Sequence, residues 1–323
     1  MAQCKKSQEQ LTNHTQNLTS MRIVKQFNWS VRAALLTLSS LATWLAAQAA
    51  TDTQPSETKG ASTPLVSSAS ASLSSADVAK ELQNPVGGLI SVPLESRMDF
   101  GPASTLRYTL NLQPVIPFEV TPDWLVVSRT ILPFVYSQKP AGSPSLDNVG
   151  ESPVGNGAKV GGIGDLTQSF FLAPKEPMNG WIWGAGPVLR LPTASRSEFG
   201  EGRWGAGPTA VLLRQDAAWT WGMLANHIWS CAGWGPRSVS TTYLQPFLAY
   251  TTESLTSFGL GTETAYDWTG RQWMVPLDVS VSQLVNVGRM PVDIGLGVRA
   301  YAQRPDGGPD WGLKLSITFV FPK

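Results

Sequence analysis

The chain has 323 residues, of which 42% are hydrophobic and only 15% charged, and its formal net charge is +1. A charged fraction this far below the ~25% of ordinary soluble domains, without any basic block, excludes a nucleic-acid partner. Two widely separated cysteines, Cys4 and Cys231, exclude a disulfide framework and a thiolate metal site, and no cofactor motif stands out.

In chain order, residues 1–49 are expected to be a leader, with a polar extension and then a signal peptide starting at Met21. From there Arg22, Lys25 and Arg32 precede a largely apolar run from Ala33 to Ala47, and Ala47-Gln48-Ala49 forms a small-x-small cleavage site. Residues 50–84 are a Ser/Thr/Ala-rich periplasmic tether, too poor in large apolar residues to fold alone. Within it, residues 75–82 predict a short helix capped by Ser75 and ended before Asn84-Pro85. Tether and small plug both fit this composition.

Residues 85–323 read as strands. Ile90, Val92, Leu94, Met98 and Phe100 alternate with Ser91, Pro93, Glu95, Arg97 and Asp99. Leu106, Tyr108, Leu110, Leu112, Ile116 and Phe118 alternate with Arg107, Thr109, Asn111, Gln113 and Glu119. Further along, Phe258, Leu260, Tyr266 and Trp268 oppose Ser257, Gly259, Gly261, Glu263 and Asp267. Trp273, Val275, Leu277, Val279 and Val281 oppose Gln272, Asp278 and Ser280, and Val292, Ile294, Leu296 and Val298 oppose Asp293, Gly295, Gly297 and Arg299. Residues 124–136, 163–174, 181–192, 204–215, 219–231 and 242–252 are strands whose facing is not legible.

The last strand is the clearest. Trp311, Leu313, Leu315, Ile317, Phe319 and Phe321 lie on one face, and Gly312, Lys314, Ser316, Thr318 and Val320 on the other. It spans roughly 33 Å at ~3.3 Å per residue, and tilted by about 45° it covers roughly 24 Å, close to the ~25 Å apolar band of an outer-membrane barrel. Connections alternate between short and long. The expected class is therefore all-β: a transmembrane antiparallel up-and-down β-barrel of about twelve strands, located in the outer membrane after export. Two connections break the alternation, a short one at Thr269-Gly270 and a long one at 282–291. Trp124, Trp181, Trp183, Trp204, Trp219, Trp221, Trp268, Trp273 and Trp311 fall near strand ends, as an interface aromatic belt in contact with outer-membrane lipid requires. Phe319 and Phe321 are the expected terminal signal for the barrel-assembly machinery. A secreted β-sandwich that binds carbohydrate or envelope material through tryptophan is the competing reading.

Several runs resemble a known family. They are Asn84-Pro-Val-Gly-Gly-Leu-Ile-Ser-Val-Pro93, Leu112-Gln-Pro-Val-Ile-Pro-Phe118, Ser128-Arg-Thr-Ile-Leu-Pro133, Gly162-Ile-Gly-Asp-Leu166, Trp183-Gly-Ala-Gly-Pro187, Trp204-Gly-Ala-Gly-Pro-Thr209 and Arg304-Pro-Asp-Gly-Gly-Pro-Asp-Trp311. Over residues 80–323 the chain resembles a transporter family of bacterial outer-membrane proteins, often mislabelled neuromedin U and similar to the barrel group of the meta-pathway of phenol degradation. The resemblance implies an outer-membrane barrel with a channel or transport role for small solutes, hydrophobic or aromatic ones by analogy. It supplies no catalytic residue and no substrate.

Charged residues on the polar faces are the candidate lumen lining: Glu95, Arg97, Asp99, Arg107, Glu119, Arg129, Asp165, Arg190, Glu263, Asp267, Asp278, Asp293, Arg299 and Lys314. They either line a pore that screens a small-molecule solute by charge, or pair with one another and fill a narrow interior. An enzyme is not expected. Barrel hydrolases need a histidine beside a serine and an orienting polar group; Ser230 follows His227 by three residues, which on a strand puts the two on opposite faces. His227 reads instead as an interface residue beside Trp221 and Trp229.

Overall fold

The computed structural model describes residues 74–101, 106–138, 159–288, 290–305 and 307–321. The expected leader, residues 50–73, most of the long connection after residue 138, and Pro322-Lys323 lie outside these.

One short helix precedes the sheet: α1 (Ser75–Glu81). Its cap is Ser74, one residue earlier than the sequence reading placed it. Asp77 is the third helical residue counted from Ser74, so its carboxylate reaches the Ser74 backbone while Ser74 Oγ accepts the Asp77 N–H, a reciprocal capping box.

The sheet has fifteen strand segments: β1 (Ile90–Phe100), β2 (Leu106–Leu112), β3 (Val115–Glu119), β4 (Trp124–Gln138), β5 (Lys159–Ile163), β6 (Leu166–Pro174), β7 (Trp181–Leu191), β8 (Arg203–Asp216), β9 (Trp219–Gly233), β10 (Ser240–Thr251), β11 (Thr256–Thr262), β12 (Thr264–Asp267), β13 (Gln272–Val287), β14 (Met290–Gln303) and β15 (Trp311–Phe321). Three pairs, β2 with β3, β5 with β6 and β11 with β12, are single spanning strands with a local break, so the sheet is a closed antiparallel barrel of twelve strands. Closure is made by β15 on β1, in unbroken register from Ile90↔Phe321 to Phe100↔Trp311. Closing the ring leaves no open edge among the described strands.

The breaks differ physically. β2 and β3 keep one register on β4, Leu112↔Leu132 and Val115↔Arg129, as do β11 and β12 on β13. Between β5 and β6 the register on β4 slips by one residue, from Phe134↔Ile163 to Ile131↔Thr167, so Gly164-Asp165 is a true bulge.

Ile90 and Phe321 lie at the same end. There the connections are short: 120–123, 175–180, 217–218, 252–255 and 288–289. At the other end they are 101–105, 139–158, 192–202, 234–239, 268–271 and 304–310. The expected long connection at 282–291 is corrected to a two-residue turn, because β13 continues to Val287. Leu284 is buried inward and Val285 and Val287 are exposed outward, so alternation persists to the turn, where Gly288 takes a φ of +66°.

Candidate functional site: the barrel interior

Pairing settles which residues share a face. Lys314 on β15 lies opposite Arg97 on β1, and Glu95, Arg97 and Asp99 share their face with Asn111, Thr109 and Arg107 of β2. On the other face Leu313, Leu315, Phe321, Ile294, Leu296, Leu277, Val279, Phe258, Leu260 and Leu248 are all exposed, so this is the outside of the barrel. Each legible alternation therefore puts its aliphatic residues outward and its charges inward.

Inside, the wall divides into two arcs. The first runs from the β11–β12 junction through β13, β14 and β15 to β1 and is charged. Glu263, at that junction, lies 2.8 Å from Arg97, 3.0 Å from Arg299 and 3.6 Å from Lys314. Glu95 pairs with Lys314 at 2.6 Å and with Arg97, and Asp278 takes Arg299 Nε at 2.7 Å and Nη2 at 3.0 Å. Three acids thus meet three bases. Glu95 and Arg299 are buried, and the side chains of the other four are between 11% and 23% exposed. Charges removed from water are held only where each has close opposite partners, and here each has at least one. Arg97 and Glu263 stand on strands separated by β13, β14 and β15, so their bond crosses the interior rather than following the wall. Asp99 extends the network by accepting from Tyr301 Oη at 2.8 Å.

The second arc runs over β4 and β6 to β9 and is apolar. Leu125, Val127, Phe171, Ala173, Val188, Val211, Leu213 and Leu224 face inward and are buried, with Val127, Phe171, Val188 and Leu213 fully inaccessible. What covers part of this arc is the chain's own segment after α1. Val86 packs into the cluster of Leu125, Val127, Phe171, Ala173, Val211, Leu213 and Leu224. Gly184 makes room for it, since a Cβ there would stand 3.1 Å from Val86 Cγ1. Val78, Ala79 and Leu89 pack against inward-facing Leu284 and Val320. Gln215 Nε2 donates to Lys80 O at 2.8 Å, and Glu81 Oε1 accepts the Gly88 N–H at 2.7 Å and closes the turn. Burial holds the Glu81 carboxyl above its ordinary 4.5, against the Gly88 N–H and the Asn84 side chain, which pull it down.

Between this segment and the wall lies a cavity of about 280 Å³, lined among others by Glu81, Gln113, Arg129, Gln245, Phe247 and Asp293. A smaller one of about 150 Å³ lies against Glu263, Asp278 and Lys314. Arg129 Nη2 donates to Gln113 Oε1 at 3.1 Å.

The other candidate residues stand apart from the network. Arg107 faces inward opposite Asp99 and is exposed, and Glu119 is exposed at the short-turn end, where it takes Lys175 Nζ at 2.9 Å. Asp165 sits in the bulge and accepts the N–H groups of Ala194 at 3.1 Å and Glu201 at 2.8 Å, which ties down the 192–202 connection. Arg190 faces inward opposite Thr167, and Asp267 caps its own hairpin by accepting the Thr269 N–H.

The tryptophans form two outward-facing groups. Trp124, Trp181, Trp183, Trp219 and Trp221 are at the short-turn end and Trp204, Trp268, Trp273 and Trp311 at the other. Ring pairs link strands across the outer face: Trp124–Trp183 joins β4 to β7 over β6, Trp181–Trp221 joins β7 to β9 over β8, and Phe100 of β1 stacks on Trp311 of the adjacent β15 at 4.4 Å. Phe319 and Phe321 also lie on the outward face.

His227 faces outward too. Its ring is 4.1 Å from that of Trp229, its Nδ1 is 2.7 Å from Thr242 Oγ1, and its Nε2 is 3.3 Å from Ser240 Oγ. Ser230 is on the opposite face, where its Oγ accepts the Val239 N–H. Ser240, 13 residues from His227 in the chain, comes to the histidine only through the pairing of β9 with β10.

No family model matches the sequence, and no curated protein matches it. Among solved structures, the chain is similar to an outer membrane channel from Pseudomonas putida F1, at 17% identity over 72% of this chain and 96% of that one, with a TM-score of 0.54. It also aligns with the β domain of the Bordetella autotransporter BrkA (13% identity, 73% of this chain and 100% of that one, TM-score 0.40) and with outer membrane phospholipase A from Escherichia coli (9% identity, 72% and 90%, TM-score 0.41). The first of these shows a shared fold.

Proposed function

We propose that the protein is an outer-membrane β-barrel that lets small solutes pass passively through its interior. The observation that carries this reading is the contrast between the two faces of the wall: aliphatic and aromatic outside, with interior cavities bounded by ionic and polar groups. An apolar outer band between two tryptophan groups suits a bilayer, where Arg or Lys would cost ~2–4 kcal/mol at mid-depth. In this reading the lipid of the outer membrane is the solvent of the outer face. The inward charges line the solute's route, and Phe319 and Phe321 are what the assembly machinery reads during insertion. Export by the leader belongs to the same proposal. An interior with one apolar and one charged arc suits solutes with an apolar body and a polar group, a class that includes the aromatic compounds implied by the family resemblance.

A second reading, a mainly structural barrel, is favoured by the mutual pairing of the six charges and by the docking of Val86. Planar-bilayer recording separates the two. Stepwise single-channel conductance from the purified chain supports the channel, and a larger conductance after deletion of residues 74–86 identifies that segment as its main obstruction. A barrel that inserts but stays silent in both forms leaves the structural reading.

A further inference from the structure

The outward face of β9 and β10 carries an arrangement that neither a channel nor a structural barrel uses. Ser240 Oγ stands 3.3 Å from His227 Nε2, and Thr242 Oγ1 stands 2.7 Å from His227 Nδ1. Trp268 Nε1 donates to the same Thr242 oxygen at 2.8 Å. A hydroxyl on one imidazole nitrogen and an oriented acceptor on the other is the relation of nucleophile, general base and positioning group in acyl transfer. Antiparallel pairing produces it: Thr242 lies directly opposite His227, and Ser240 lies opposite Trp229, two residues along on the same face. The indole of Trp268 can only donate, so Thr242 Oγ1 keeps one lone pair and its own proton to offer His227 Nδ1, and the site requires the tautomer in which Nδ1–H donates to that lone pair. In that tautomer Nε2 is unprotonated and accepts from Ser240.

From this geometry we infer that Ser240, His227 and Thr242 form an esterase site on the outside of the barrel, open to acyl esters held at the membrane surface. The site lies toward the end with the longer connections, between Trp229 and Trp268, both more than half exposed. Its aromatic surround suits the acyl or alkyl part of an ester. In the reaction Ser240 Oγ attacks the ester carbonyl carbon while its proton passes to His227 Nε2. Collapse of the tetrahedral adduct breaks the carbon–oxygen bond to the alcohol, which takes the proton from Nε2 as it leaves. Water, deprotonated by the same nitrogen, then cleaves the acyl-serine, releasing the acid and restoring Ser240. No redox partner is needed. Thr242 and Trp268 are positioning residues: they hold the ring orientation in which Nε2 meets Ser240, without touching the substrate. Because threonine is neutral, the imidazolium gains no ionic partner, and turnover is expected to be slow.

The inference is independent of solute passage, since it concerns the opposite face of the wall. It is tested on the full chain refolded in detergent micelles, with a fluorophosphonate probe for covalent labelling and a short-chain p-nitrophenyl ester for turnover. Heat-modifiable gel mobility confirms the barrel for each variant. The expected result is a single label on the peptide containing Ser240, lost in Ser240→Ala and slowed by at least about 100-fold in His227→Ala, the usual scale of general-base assistance. Thr242→Val should slow labelling less, and Thr242→Ser should restore it, which a purely packing role for the methyl group would not produce. Folded protein that takes no label at Ser240, or that labels equally well in His227→Ala, overturns the site. Folded protein that hydrolyses the ester equally with and without Ser240 overturns it as well.

Discussion

The two arcs of the inner wall solve the same problem with opposite chemistry. The charged arc removes Glu95, Glu263, Asp278, Arg97, Arg299 and Lys314 from bulk water and compensates them with one another. The apolar arc removes Val127, Phe171, Val211 and Leu213 from water partly by covering them with Val86. The first is directional and fails badly when one member is lost, because the remaining charges stay buried. The second is additive, and each methyl group removed costs a limited amount. A barrel interior built this way is asymmetric around its circumference, and the segment that enters it docks by its apolar residues on one arc and by α1 on the other.

The largest effect should follow from breaking the charged arc at its centre. Glu263→Ala removes the acid shared by Arg97, Arg299 and Lys314 and leaves three bases to two acids, Glu95 and Asp278; it should destabilise the barrel by about 3 kcal/mol, the lower end of the cost of breaking a buried ion pair, because each base keeps one partner. Urea unfolding in detergent reads this, and a loss under 1 kcal/mol would mean that water already screens the site. Next in size is a comparison of the two faces of β15. Ile317→Arg should cost ~2–4 kcal/mol on insertion, and Thr318→Arg, on the inward face, distinctly less; equal costs would contradict the assignment of the outer face to lipid. In the apolar arc, Val86→Ala removes two methyl groups and should weaken docking of the segment by about 1.5 kcal/mol at ~0.8 kcal/mol per group. Faster proteolysis ahead of β1, with an unchanged barrel, is the expected signature.

The smallest effect concerns Glu81. Its carboxyl is held above 4.5 by burial, so the docked segment binds the proton more tightly than the free one. Docking is therefore favoured at low pH, weakens as pH rises from 4.5 through the raised value, and is flat above it. Glu81→Gln should abolish that dependence in a proteolysis assay run across the window, and a dependence that persists in the variant would belong to another group.

How much could be read from the chain depended on whether a strand has two unlike faces. β1, β2, β13, β14 and β15 each set charges against aliphatics, so period-two reading gave their facing and, with the turns, the approximate strand number. β4, β6, β8 and β9 were opaque in facing because their inward residues, such as Val127, Phe171 and Leu213, are as apolar as their outward ones. No alternation marks a wall whose inner side is covered by another part of the same chain. The end of β13 was misplaced for a related reason, since Ser282, Gln283 and Asn286 resemble loop residues until Leu284 is seen to be buried.

The amino-acid sequence by itself determined the all-β class, a strand number of about twelve and, for β1, β2, β13, β14 and β15, the side that carries charge, because these depend on local alternation and on where the chain must turn. Only the tertiary structure decided which charges meet. Glu263 and Arg97 are 166 residues apart and belong to strands that are not neighbours, so no local pattern encodes their bond. The same holds for Val86 against Leu213 and for Ser240 against His227. Such contacts are set by barrel closure and cross-strand register, which combine faces from distant parts of the chain.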